Sequence, residues 1–171
     1  MTGHAATLAI MVVGVALESF TMRVKPMPRL VWNASASVPI GLYSVDHVSK
    51  LAVTNLVVAI PPEPLATFLA ERGYLPIGVP LIKRILALPG QTVCRSELLI
   101  SVDGIAMGAA LVRDSRDRAL PVWQGCRVIA QGEVFLMNWD EAASLDGRYF
   151  GPIPLSAIVG CALPVWTFEQ Q

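Results

Sequence analysis

Charge is scarce in this chain. Only 15% of its 171 residues are charged, and acidic and basic residues balance at 13 each. No basic run is long enough to track a phosphate backbone, so nucleic acid is not an expected partner. Histidine is nearly absent. His4 stands ahead of the apolar N-terminus, which leaves His47 for site chemistry. A Ser-His-Asp triad would have to be built on His47, which has no recognisable partner motif. Cysteine is limited to Cys94, Cys126 and Cys161, with no Cys-x-x-Cys pair and no metal-ligand spacing. Neither a metal nor a cofactor is therefore expected. The thiols read as small buried hydrophobes, or as a disulfide between two of them outside the cytoplasm. The pair stays open.

What the chain has instead is apolar surface. Hydrophobic residues make up 54% of it, which is too apolar for a disordered chain and unusual for a cytosolic domain. A membrane-associated protein with one large core fits better. Residues 5–17 are almost uninterrupted apolar sequence, ended by Glu18. That is shorter than the roughly 20 residues a full span needs, and closer to a signal-peptide core or a marginal anchor. Residues 1–29 are read as this signal or anchor segment and 30–171 as one folded domain. Positive charge follows the segment at Arg23, Lys25 and Arg29. Taken alone, that favours a cytoplasmic C-terminal side. Ala34-Ser35-Ala36 has the small residues of a cleavage site but lies too far beyond the apolar core.

The remainder predicts short strands with frequent Gly and Pro punctuation. Strands are expected over 51–60, 79–88, 98–102, 109–112, 126–129, 133–138 and 158–166, the last interrupted at Pro164. Thr92-Val93 suggests another. Asp103-Gly104 is a tight-turn pair, and Pro39 with Gly41 marks a turn. One internal helix is expected over 64–72, with Pro64 in its first turn and Gly73 past its end. The pattern favours a mainly β, antiparallel domain with one short internal helix and an N-terminal apolar helix.

Two residues stand out chemically. Ser37 lies in the loop Asn33-Ala34-Ser35-Ala36-Ser37-Val38-Pro39. Lys83 lies inside the apolar run Leu81-Ile82-Lys83-Arg84-Ile85-Leu86. A serine hydroxyl becomes a strong nucleophile only when a base takes its proton, and lysine serves as that base only when neutral. Burial among Ile82 and Ile85 would lower the lysine pKa toward about 7–8. On a strand, Lys83 and Arg84 face opposite ways, so the arginine need not hold the lysine charged. The Ser37 amide and the Ser35 hydroxyl are candidate oxyanion donors. The blander alternatives are an ordinary serine-rich loop and an edge-strand lysine that blocks aggregation.

A third segment, Ser144-Leu145-Asp146-Gly147-Arg148-Tyr149-Phe150-Gly151, resembles the last signature box of type I signal peptidases. Lys83-Arg84 followed by Leu88-Pro89-Gly90 is similar to that family's lysine box, and Ser35-Ala36-Ser37 to its serine box. Ser37-Val38-Pro39-Ile40-Gly41-Leu42-Tyr43 resembles the conjugative-transfer, TraF-type branch, where general signal peptidases place methionine after the serine. Two positions depart from the pattern. Gln91 replaces a frequent aspartate, and the usual Gly-Asp-Asn-Arg run ahead of Ser144 is reduced to Asn138 and, later, Asp140.

The resemblance implies a signal-peptidase-like β core facing the periplasm, either as a periplasmic protein or anchored in the inner membrane. It implies a serine endopeptidase with Ser37 as nucleophile and Lys83 as base. Ser35 would assist at the oxyanion, Ser144 would orient Lys83, and Asp146 with Arg148 would form a supporting ion pair. Asp146 is also the candidate for an acid acting directly. The implied substrate is a propilin-type exported precursor of a conjugation or type IV secretion apparatus, with cyclisation of the product known in some relatives. The alternatives are a general signal peptidase and a non-catalytic pilus-assembly factor. A self-cleaving repressor would need a DNA-binding segment where residues 1–30 carry apolar sequence.

Overall fold

The computed structural model describes residues 2–23, 29–47 and 50–168. Helix α1 (Thr2–Arg23) precedes strands β1 (Leu30–Asn33) and β2 (Gly41–Asp46). Residues 24–28, the end of the predicted N-terminal segment, lie outside the described residues, and β1 begins at Leu30, the first residue of the predicted domain. β3 (Leu56–Ala59) leads through α2 (Leu65–Glu71) to β4 (Leu81–Ala87). β5 (Thr92–Ser96), β6 (Leu99–Val102), β7 (Ile105–Ala109) and β8 (Gly125–Val128) follow. They form a four-stranded sheet in the order β7-β6-β5-β8. The chain then returns through β9 (Glu133–Leu136), α3 (Gly147–Phe150), β10 (Ile153–Pro154) and β11 (Ile158–Thr167). These complete a seven-stranded sheet, β1-β2-β11-β3-β4-β9-β10. The strand pairs are antiparallel, so the predicted fold class is the one observed.

The sheets share one apolar layer. Leu86 and Ala87 of β4 and Phe135 of β9 pack with Val93, Ile100 and Val102 of the smaller sheet. Val57, Ile85, Val134, Leu136 and Ile153 form a second cluster on the larger sheet, and Tyr43, Val58, Ile82 and Ala162 a third. β4 therefore contributes to every one of these layers. Its neighbours are β3 and β9, which overturns the reading of Lys83 as an edge-strand lysine. Gly41 makes the β2–β11 pairing feasible, because a Cβ there would lie 2.2 Å from the Trp166 carbonyl oxygen.

Several expectations shift. The strand predicted over 51–60 is confined to β3. Ahead of it the chain turns at Thr54, whose φ is +78°, and the Asn55 side chain accepts the Ala52 N–H. Asp103-Gly104 does make the tight turn, with φ of +49° and +83°, so the next strand begins at once at Ile105 and not at residue 109. β11 continues through Pro164 by a register shift against β2. β1, β2 and β10 were not expected. Pro39 and Gly41 do mark a turn, but β2 starts at Gly41 itself. The predicted internal helix is α2, with Pro64 at its N-cap and Gly73 at φ +63° beyond it, and α3 is a further short one. Cys94 and Cys126, opposite each other on β5 and β8, form a disulfide, and Cys161 is free. Among the described residues no helix is long and apolar enough to cross a membrane.

Candidate active site

Ser37 sits on the turn between β1 and β2, and Asn33 builds that turn. The Asn33 carboxamide Nδ2 donates to the carbonyls of Ser35 at 2.7 Å, Val38 at 2.9 Å and Pro39 at 3.1 Å. Carbonyls only accept, so Oδ1 must face the other way. There it accepts the Ser35 N–H at 3.2 Å and the Ser35 hydroxyl at 3.0 Å. The single proton of Ser35 is thereby committed to Asn33. The 3.0 Å contact between the Ser35 and Ser37 oxygens is then a Ser37 O–H donating to Ser35.

Lys83 lies on central strand β4 and is only 3% exposed. Its Nζ donates to Ser144 Oγ at 2.7 Å. Burial is the main influence on the amine and lowers its pKa to about 8. Nearby Asp146 and Glu141 oppose that shift, and Arg148 adds to it. Arg84 faces away, over the Trp139 ring and toward Asp140, as strand alternation requires.

Ser144, Asp146 and Arg148 come from one loop and the start of α3. Arg148 meets Asp146 with a two-point grip, Nε to Oδ1 and Nη2 to Oδ2, each at 2.9 Å. Arg148 Nη2 also holds the carbonyls of Ser144 at 3.1 Å and Glu141 at 2.6 Å. The Asp146 carboxylate additionally accepts the Arg148 and Asn138 N–H groups. Fully buried and so engaged, Asp146 supports the loop and does not reach the cleft as an acting acid. Gly147 is needed for this close packing, since a Cβ would lie 2.7 Å from the Leu136 carbonyl oxygen.

A cleft of about 500 Å³ joins these parts, and Ser35, Ser37, Lys83 and Ser144 all line it. Its walls are largely apolar, with Leu69 and Leu75 from around α2 and Leu81 from β4. Tyr74 and Glu141 add polar rims. Among the described residues Ser37 and Lys83 share no hydrogen bond: the serine is turned to Ser35 and the lysine to Ser144. Sequence reasoning gave no role to Asn33 or Glu141, and met Asn138 only as the remnant of a motif. Asn33 was within reach, because asparagine two residues ahead of a serine is a known turn former.

The chain is 38% identical over 148 residues to the conjugal transfer protein TraF of Agrobacterium fabrum, covering 80% of this chain and 82% of that protein. It is 35% identical over 149 residues to a plasmid transfer protein TraF of Escherichia coli, with the same coverages. A probable signal peptidase I-1 of Synechocystis is 31% identical over 117 residues, 68% of this chain and 55% of that protein. A solved signal peptidase I from Enterococcus faecalis superposes with a TM-score of 0.41 at 17% identity, covering 67% of this chain and 97% of that one. The family model described as signal peptidase, peptidase S26, matches residues 2–167. With nearly the whole length accounted for, including every segment that lines the cleft, the chain belongs to the peptidase S26 family of signal peptidases.

Proposed function

We propose that this chain is a Ser–Lys endopeptidase that matures an exported, propilin-type precursor for conjugative transfer. The observation that carries the reading is the buried Lys83 amine, held by Ser144 in the cleft that also contains Ser37. A lysine placed there against a desolvation cost has a chemical use. In the acylation step Ser37 turns its hydroxyl from Ser35 to neutral Lys83. The Ser37 proton passes to the Lys83 amine as Oγ bonds to the scissile carbonyl carbon. The oxyanion is stabilised by the Ser37 amide and by Ser35, whose proton swings over from Asn33. Lys83 then protonates the leaving amine as the C–N bond breaks. Water, deprotonated by Lys83, releases the acyl group. If the precursor's own amine attacks instead, the product is cyclic.

Small side chains along the nucleophile loop, Ala34 and Ala36, favour an extended substrate laid close to the backbone. The conjugal and plasmid transfer names of the relatives support a precursor from a conjugation or type IV secretion apparatus. Work at the periplasmic face of the inner membrane is supported by two features. One is the Cys94–Cys126 disulfide. The other is an exposed aromatic edge. Trp32, which also lines the cleft, packs 6.2 Å from Trp166, and Trp166 4.7 Å from Phe168. All three remain about half exposed, which suits a water–lipid boundary. Helix α1, with its apolar residues 5–17, is the proposed signal or anchor segment.

The test is intact-mass analysis of a propilin-type precursor from a conjugation apparatus, processed in membranes by wild type and by Ser37→Ala. A shortened product from wild type alone supports the peptidase reading, and loss of one further water identifies cyclisation. Equal products from both remove Ser37 as nucleophile and favour an assembly factor.

A further inference from the structure

We propose that Asn138 is the positioning residue of the nucleophile, its carboxamide tying Ser37 to the strand that carries Lys83. The inference rests on the Ser–Lys reading of the cleft. Asn138 follows β9 and is fully buried. Its Nδ2 donates to the Ser37 carbonyl oxygen at 2.7 Å. Its Oδ1 accepts the N–H of Arg84, the residue after Lys83, at 2.9 Å. One small planar group thus spans from the nucleophile's own peptide to the base's own strand.

The chemistry of the two contacts restricts the residue. A carbonyl needs a donor and an N–H needs an acceptor, so the bridging side chain must supply both from one rigid plane. Aspartate keeps the Arg84 bond and sets a carboxylate against the Ser37 carbonyl. Alanine loses both bonds. Asn138 is in turn fixed by its main chain: its N–H donates to Asp146 Oδ2 at 3.1 Å, and its carbonyl accepts from Arg148 Nη2 at 3.3 Å. The Asp146–Arg148 pair therefore serves both halves of the dyad. Through the Ser144 carbonyl it supports the partner of Lys83, and through Asn138 it sets the height of Ser37. Without this tether, the loop at 33–39 keeps its Asn33 contacts, the Tyr43 hydroxyl on the Pro39 carbonyl and the packing of Val38 in the cluster that holds Ile82, but among the described residues no other hydrogen bond links the Ser37 carbonyl to the side chain that holds β4.

The test compares Asn138→Ala and Asn138→Asp with wild type and Ser37→Ala, using the full chain in membranes and the same precursor. Thermal unfolding is followed in parallel. For Asn138→Ala, kcat is expected to fall about 10- to 100-fold, as a displaced nucleophile costs, with KM within about threefold of wild type. The acid limb of its pH–rate profile stays where Lys83 puts it. A merely structural loss would hydrate the Lys83 amine and move that limb upward, so a decrease explained wholly by a shifted limb overturns the proposal. Asn138→Asp keeps the side-chain shape and the Arg84 bond. It decides the matter if the alanine variant does not fold, and a kcat within about twofold of wild type overturns the proposal. Failure of the Ser–Lys reading shows separately, as processing by Ser37→Ala.

Discussion

The two halves of the candidate site are built by opposite means. Lys83, Ser144, Asp146 and Arg148 are buried, and each polar group among them has a partner that the fold supplies. Ser35 is exposed and Ser37 half-buried, on a turn held by asparagine side chains. The contrast follows from what each group must do. A lysine acts as a base near neutral pH only when burial disfavours its charge. A nucleophile must instead be reached by the substrate. On the proposed reading, the lysine half exchanges stability for a lowered pKa, and the serine half exchanges burial for access.

The strongest way to break this contrast is at Lys83. Lys83→Arg is expected to abolish processing, because guanidinium keeps its charge and cannot accept the Ser37 proton. Lys83→Met is equally inactive but should be more stable. The folded-state pKa of about 8 lies below the ordinary 10.5, so the unfolded chain binds the proton more tightly. The resulting destabilisation is full below about pH 8 and fades as pH rises toward 10.5. Removing the amine should therefore raise stability at pH 7 by about 1–3 kcal/mol, after the lost Ser144 bond is counted. Denaturant melts at pH 7 and pH 10 measure it, and the gain should shrink at the higher pH. For the wild-type enzyme, kcat/KM is expected to climb with pH through about 8 and then level.

Next in size is the ion pair beneath both halves. Arg148→Ala leaves the Asp146 carboxylate buried and unpaired, which costs about 3–5 kcal/mol. A fall in the thermal midpoint, with loss of activity at temperatures where wild type is folded, is the expected result. Ser35→Ala acts on the nucleophile half alone. It should lower kcat by about 100- to 1,000-fold, equivalent to roughly 3–4 kcal/mol of oxyanion stabilisation, with little change in melting. Ser144→Ala is the mildest. The lysine stays buried but loses its orienting partner, and kcat should drop about tenfold with the fold intact. If Ser144→Ala instead destabilised the protein as much as Arg148→Ala, the division between the halves would be wrong.

How legible the site was depended on sequence distance. Lys83 was readable because a cation inside an apolar run is a local anomaly. The helix at α2 was readable because Pro64 and Gly73 bracket it locally. Ser144, Asp146 and Arg148 were read from a compact motif whose members fold together within one loop and α3. Asn138 was seen only as the remnant of a motif. Its role depends on Ser37, 101 residues earlier in the chain. β1 and β2 were missed for the same reason: strands this short form because β11 returns from the far end of the chain to pair with β2. The cysteine pair stayed open until β5 and β8 were set side by side.

By itself, the order of residues determined a mainly antiparallel β domain, the apolar setting of Lys83, and a small-residue loop around Ser37. These follow from composition and from contacts a few residues apart, which the chain makes wherever it folds. Only the tertiary structure decided that β4 is central and not an edge, and that Lys83 is stripped of water. It alone decided that the Ser37 hydroxyl is turned to Ser35 and that Asn138 joins the two halves. Desolvation and hydrogen-bond direction depend on everything packed around a group, and that packing comes from segments far apart in the chain.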